Sequence, residues 1–335
     1  MKSAIRLMSV AGLLAGFCLP LTGAEPELVS VTKIWDRAPH NAFTDLVRFR
    51  DQWLCTFREG DYHGSRPTRE VMPEGKSGRP GQVRVIVSKD GEHWGSAALL
   101  SEKGVDLRDP KLSVMEDGRL MLLAGGCIDD PLKEEQWGYV TRAPRVAFSE
   151  DGRRWTPTRR LLAEDHWLWR ATWHEGKAYS LSKMGETPSP RRGFLYWTRD
   201  GLNWHWLTEF KLKGVSETTL RVMPDGEMIA LIRPHYLGRS QPPYKKWKFR
   251  KIEHSIGGPN FIRIPDGSLW AGSRLNGKTV LSRMTPESFE PVLTLPSGSD
   301  TSYPGMVWHD DLLWISYYSS HEGKTSIYLA KVRFR

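Results

Sequence analysis

One motif recurs six times along the chain: an alternating apolar run, a short turn rich in acidic residues and glycine, and a second apolar run. The turns are Asp51-Gln52, Asp117-Gly118, Glu175-Gly176, Asp225-Gly226, Asp266-Gly267 and Asp310-Asp311. Period-two alternation on both sides of a tight turn specifies a β-hairpin, and a lone hairpin is marginal in water. The turns begin 41 to 66 residues apart, the scale of one four-stranded propeller blade. The sequence therefore predicts an all-β protein, a six-bladed β-propeller. Residues 28–34 and 325–334 are both strand-like and are expected to close the ring, removing the free edges of an open array. No linker or compositional break follows residue 24, so residues 25–335 are expected to form a single domain.

Three hairpins are trailed by a second signature, Ser88-Lys89-Asp90-Gly91-Glu92-His93-Trp94, Ser149-Glu150-Asp151-Gly152-Arg153-Arg154-Trp155 and Thr198-Arg199-Asp200-Gly201-Leu202-Asn203-Trp204. In the pattern S/T-x-D-G-x-x-W the Ser/Thr and Asp bond the turn's own backbone, Gly takes the positive φ, and Trp folds back over the apolar side. The motif is a structural clasp and carries no chemistry of its own.

Composition agrees with a globular β chain. Of 335 residues, 39% are hydrophobic and 15 are Trp, which excludes disordered and collagen-like classes. The net charge of +9 suits an anionic ligand and is also met on ordinary secreted proteins. Residues 1–24 carry Lys2 and Arg6, an apolar stretch broken by Pro20, and Thr22-Gly23-Ala24. This reads as a cleaved secretory signal, predicting a secreted or periplasmic protein. No segment reaches the roughly 20 apolar residues of a spanning helix. An oxidising compartment permits a Cys55–Cys127 disulfide, and a pair of buried free thiols fits equally well.

If the hairpin turns share one face, residues seven to nine positions from each turn emerge together on the other, at roughly 3.3 Å per residue. Thr44, Arg108, Glu217 and Tyr303 stand there before the turns, with Arg170 somewhat closer. Arg58, Lys183, Arg233, Arg274 and Tyr318 stand there after them. Cations, one carboxylate and two phenols converge on one funnel. The basic run from Lys245 to Lys251 reads as a solvated strand or loop, and export argues against nucleic acid as partner. His254, His309 and His321 lack ligand spacing, and no HExxH, CxxC or EF-hand pattern occurs, so no catalytic metal and no cofactor are expected.

The three clasps match the Asp boxes of the sialidase (neuraminidase) superfamily, and the chain resembles its secreted bacterial sialidase-like members. The resemblance implies an exo-acting glycoside hydrolase that removes a terminal acidic sugar, sialic acid or similar, from an anionic glycan. It further implies an arginine triad on the substrate carboxylate, a Tyr nucleophile with a Glu base, and a loop Asp as acid/base, a departure from the two-carboxylate rule. Ser216-Glu217-Thr218 with Arg233 resembles the family's Glu and second arginine, Trp270-Ala271-Gly272-Ser273-Arg274 the third arginine, and Thr301-Ser302-Tyr303-Pro304 the nucleophile segment. Where the family has Arg-Ile-Pro, this chain has Phe43-Thr44-Asp45-Leu46, so the first arginine is absent from its usual place. Arg58 and Arg108 are the candidate replacement cations, while Arg170, like Arg108, either lines the funnel or pairs structurally, with Asp109 and Asp165 as available partners. The polar loop between Glu59 and Gln82 is expected to supply the acid/base, Asp61 ahead of His63, Asp45 and Glu70. A monomer is expected. Two alternatives stand beside hydrolysis of an acidic sugar: a glycan-binding propeller without catalysis, and a related glycosidase for another sugar.

Overall fold

The computed structural model describes residues 25–64, 79–129, 139–185 and 191–335. The expected export signal and Glu70 lie outside the described residues. Six antiparallel sheets form the six blades of a propeller. Blade one begins with strands His40–Phe49 and Gln52–Gly60, blade two with Asp106–Val114 and Leu120–Asp129, and blade four with Thr218–Val222 and Met228–Ile232. Blade three opens on an interrupted strand, Trp167–Leu168 and Thr172–His174, and blade five on Gly257–Arg263. In blade six the first segment of the domain is the outermost strand: Pro26–Trp35 pairs antiparallel with Ser326–Phe334, followed inward by Leu312–Ser319 and Thr301–His309. This is the closure expected from the two strand-like ends, with both flanks now paired.

Core residues sit between blades, so that each sheet's apolar face is covered by its neighbour. Blades one and two, for example, share Leu54, Val83, Val85, Leu107, Leu112 and Leu122. The clasps reinforce these seams. In the first, Ser88 Oγ accepts the Gly91 N–H at 2.8 Å, Asp90 Oδ1 accepts those of Glu92 and His93, and Trp94 Nε1 donates to the Gly91 carbonyl at 3.0 Å. The Asp151 and Asp200 turns repeat the same bonds. Gly91 has φ +78°, and a Cβ there would lie 2.5 Å from the Trp314 ring of blade six. Gly152 and Gly201 meet Leu54 and Met121 of their preceding blades in the same way. Glycine is required twice over, for the turn and for the seam.

The innermost strands share a second device. In blades one, two, five and six the register slips, between Ala42 and Asp45, Arg108 and Lys111, Gly257 and Asn260, and Ser302 and Gly305. Each slip is a bulge containing a left-handed residue: Phe43 (φ 68°), Asp109 (φ 50°), Gly258 (φ 56°) and Tyr303 (φ 46°). Proline follows three of the four, which a bulge tolerates because no ladder bond is lost. A bulge re-aims the side chain it carries.

Cys55 and Cys127 are buried free thiols. The basic run is an exposed outer strand, Lys248–Lys251, in blade four. No helix among the described residues is long and apolar enough to cross a membrane.

Candidate active site

The four bulges gather at the end of the ring opposite the hairpin turns. Tyr303, from the last of them, is 7% exposed, and its Oη donates to Glu217 Oε1 at 2.8 Å. Glu217, just ahead of the innermost strand of blade four, also accepts Arg233 Nη1 at 2.7 Å on each oxygen and the Gly258 N–H at 3.0 Å on Oε2. Burial pushes the Glu217 carboxyl up, but Arg233, Lys183 and the Gly258 amide outweigh it and bring it down to about 2. Burial and the charges of Glu217 and Asp109 push the Tyr303 phenol well above its ordinary value, against Arg233 and Arg274. At neutral pH the pair is therefore a neutral phenol hydrogen-bonded to a carboxylate.

Only glycine fits between the two partners. At Gly258, φ is +56° and a Cβ would stand 1.8 Å from Tyr303 Cδ1, so the Tyr303 ring and the Glu217 hydrogen bond both depend on its absence. Trp169 meets the Tyr303 ring edge-on at 5.5 Å and Phe43 lies over it at 5.3 Å. The buried ammonium of Lys111 sits 5.6 Å from the ring centroid, and burial brings it down to about 8.

Arg233 and Arg274 keep their side chains 30% and 27% exposed beside this pair. Arg274 lies 5.9 Å from the Tyr303 ring and donates to the Thr301 carbonyl at 3.3 Å. Four expected residues, Tyr303, Glu217, Arg233 and Arg274, are thus brought together, with Lys183 close enough for its charge to act on Glu217.

The remaining expectations need correction. Arg58 is wholly buried: Nε donates to Asp106 at 2.8 Å, Nη1 to the Tyr62 carbonyl and Nη2 to the Gly64 carbonyl. It holds the blade-one loop and presents no nitrogen to a ligand. Arg108 is buried with Nη1 on Asp106 and its guanidinium 5.1 Å from the Phe43 ring, beneath the cleft wall. Arg170 lies on the propeller axis, ion-paired with fully buried Asp45 at 2.5 Å and bonded to the Pro304 carbonyl. Thr44 is buried and donates to the Tyr303 carbonyl at 2.7 Å. Asp61 accepts both the amide and the guanidinium of Arg79. Burial opposes this, yet the two bonds hold its carboxyl below the usual range, which suits it poorly to donate a proton.

Sequence reasoning treated Asp109 only as a salt-bridge partner. Here it occupies the same bulge position as Tyr303, and its Oδ1 is shielded from solvent without a hydrogen-bond partner. Burial and the charge of Glu217 push its carboxyl up, against Arg108, Lys111 and Lys183. A carboxyl with a raised hold on its proton, set within the field of one whose hold is lowered, is the arrangement that separates acid from base. The Asp109-Pro110, Gly258-Pro259 and Tyr303-Pro304 pairs were the signal that could have found it.

No known family's sequence profile matches the chain, and no curated protein matches it. Solved structures do. A Dyadobacter fermentans protein of unknown function superposes with a TM-score of 0.78 at 18% identity, covering 92% of this chain and 99% of that one. The Trypanosoma rangeli sialidase, solved with sialic acid, gives 0.68 at 12% identity over 92% of this chain and 58% of its own. An α-L-arabinofuranosidase of Fusarium graminearum, solved as a point mutant with an iminosugar inhibitor, gives 0.67 at 14% identity over 91% and 98%. At such identities the likeness carries the fold: the chain is built on the six-bladed propeller used by glycoside hydrolases that act on different sugars.

Proposed function

We propose that the protein is an exo-acting glycoside hydrolase that removes a terminal acidic sugar from a glycan by a retaining mechanism through Tyr303. The observation that carries this reading is the Tyr303 Oη to Glu217 Oε1 hydrogen bond of 2.8 Å, made beside two partly exposed arginines. The glycosidases that share the fold support the reaction class.

In the first step Tyr303 Oη bonds to the anomeric carbon, its proton passes to Glu217, and the bond to the aglycone oxygen breaks as that oxygen takes the Asp109 proton. In the second, water gives a proton to Asp109 and attacks the same carbon. The bond to Tyr303 breaks and Glu217 returns the proton to its phenol. A neutral phenol approaches an anionic sugar with less repulsion than a carboxylate would. Arg233 and Arg274 bind the sugar's carboxylate by charge-assisted hydrogen bonds. An anion drawing Arg233 toward itself relieves Glu217 of the charge that suppresses its basicity, so substrate binding arms the base. Export through residues 1–24 would deliver the enzyme to extracellular or periplasmic glycans.

One observation favours a related sugar in place of sialic acid. Phe43 presents an uncharged ring to Tyr303, in the segment where the resemblance implies the triad's first arginine. A uronic acid carries its one carboxylate away from the anomeric carbon, and a neutral sugar carries none. Aryl sialosides, uronides and arabinofuranosides tested on the purified protein decide among them. Release of the aryl group from an acidic sugar, with retained anomeric configuration in the first product, is the expected result. Tight glycan binding with no turnover on any member would overturn hydrolysis and leave a binding propeller.

A further inference from the structure

Three side chains from remote stretches converge at the mouth of the cleft, beside the Tyr303–Glu217 pair and outside the chemistry assigned to it. His40 opens the innermost strand of blade one, His63 follows that blade's second strand, and Asp300 immediately precedes the innermost strand of blade six. His40 Nε2 lies 3.1 Å from Asp300 Oδ2, and His63 Nδ1 contacts the same oxygen. All three atoms fall within 4.8 Å of one another. Two imidazole nitrogens and one carboxylate oxygen facing a common point are the donor set of an open three-ligand site for a first-row divalent ion.

The surroundings fix that donor set. Tyr318 Oη donates to Asp300 Oδ1 at 2.9 Å, and Arg274 Nη1 stands 3.8 Å from the same oxygen. Tyr318 thus holds Oδ1 and leaves Oδ2 to the imidazoles, as a hydrogen bond to the other oxygen of a ligating carboxylate does. The Phe43 ring meets His63 edge-on at 5.0 Å and sets its orientation. His40 is buried, whereas the His63 and Asp300 side chains are 30% and 25% exposed, so the trio opens to solvent on one side.

We propose that His40, His63 and Asp300 hold a divalent transition-metal ion of the zinc class, with an open coordination position at the cleft mouth. The ion puts positive charge beside Phe43, whose neighbouring cation Arg108 is buried on Asp106, and its open position takes a carboxylate or hydroxyl oxygen of a bound ligand. The site stands whether or not Tyr303 is a nucleophile, because ion binding is read without substrate.

The full chain, stripped with a chelator, is titrated with Co²⁺ and with Zn²⁺ by calorimetry, and bound metal is counted by elemental analysis. One ion per chain at micromolar affinity or tighter is expected, with visible Co²⁺ absorption of the intensity that four- or five-coordinate sites give. Losing a ligand should cost more than the roughly 10–100-fold of losing a group that hydrogen-bonds one, so His63→Ala and Asp300→Asn are expected to weaken binding by at least about 100-fold. Tyr318→Phe should cost about 10-fold. His254→Ala, in the connection from blade four to blade five and against Phe289, should change nothing. If Asp300→Asn fails to fold, His63→Ala still separates the outcomes. Uptake by the wild type no greater than by a His40→Ala/His63→Ala double variant would overturn the site and leave the trio a hydrogen-bonded imidazole–carboxylate relay.

Discussion

The two ends of the propeller use repetition in opposite ways. At the hairpin-turn end, three clasps repeat the same side chains and the same hydrogen bonds, and each places a glycine against the preceding blade. At the cleft end, four bulges repeat the same backbone and carry four different side chains, Phe43, Asp109, Gly258 and Tyr303. Where the residues repeat, the result is a seam. Where only the backbone repeats, it is a constellation: an apolar wall, a carboxyl pushed up by burial, a gap and a phenol. Left-handed φ at three bulky or charged residues is costly, and it is confined in the innermost strands to the end where chemistry is proposed.

The contrast breaks most decisively at Tyr303. Tyr303→Phe removes one oxygen and keeps the ring between Phe43 and Trp169, so turnover on a good substrate should fall by at least about 10³-fold, as when a nucleophile is deleted. Its melting temperature should stay close to the wild type's. Unchanged turnover would remove Tyr303 from the reaction.

Asp109→Asn comes next. A proton donor contributes about 10²–10⁴-fold, and this loss should appear with poor leaving groups and largely vanish with activated aryl glycosides. The sign follows from the environments. Glu217, down to about 2, is already ionised at neutral pH, and Asp109 is raised above an ordinary carboxyl. In the wild type kcat/KM should therefore decline as rising pH takes the Asp109 proton, and the variant should lose that limb. An unaltered pH profile would return Asp109 to a structural role.

Gly258→Ala tests the gap. The new methyl cannot coexist with the Tyr303 ring at 1.8 Å. The ring must shift by an ångström or more, which costs on the order of 10²-fold when reacting groups are misplaced. Gly91→Ala also meets a ring, Trp314 at 2.5 Å, but at the far end. It should lower the melting temperature and leave kcat and KM of the folded enzyme alone.

Local signals carried most of the fold into the sequence. A clasp is written in seven consecutive residues and a hairpin in at most thirteen, so all six hairpins and three clasps could be read directly. A fourth, altered clasp escaped notice because its period is broken. In blade four Trp247 Nε1 donates to the Tyr244 carbonyl at 2.9 Å, as the other clasp tryptophans do to glycine. Tyr244 takes the left-handed φ of 64° and packs on Tyr179 of blade three. Counting along strands found Tyr303, Glu217, Arg233 and Arg274, because strand rise fixes which end of a blade a residue occupies. The count cannot say whether a side chain faces the cleft, the axis or the next blade. Arg170 went to the axis with Asp45 and Arg58 to Asp106, and both looked like ligand cations in one dimension. His40, His63 and Asp300 had no spacing to betray them, since the closure of blade six onto blade one brings them together.

The smallest effect belongs to a single clasp carboxylate. Asp200 Oδ1 accepts the Leu202 and Asn203 amides at 2.8 Å, and Asp200 Oδ2 accepts the Asn203 side chain at 2.6 Å. Burial resists its ionisation, but these bonds prevail and bring the carboxyl down to about 2. Its contribution is thus fully present above the ordinary Asp value and fades as pH falls through about 2. Asp200→Ala should cost about 1 kcal/mol at neutral pH, the net worth of one or two exposed hydrogen bonds. That difference should shrink in acid as the wild-type carboxylate is protonated. Turnover should be untouched, because the clasp bonds only within its own turn and packs on the blade-two side chains beneath it. A loss of activity without a loss of stability would mean that the two ends of the ring are coupled, and the division between seam and constellation would fail.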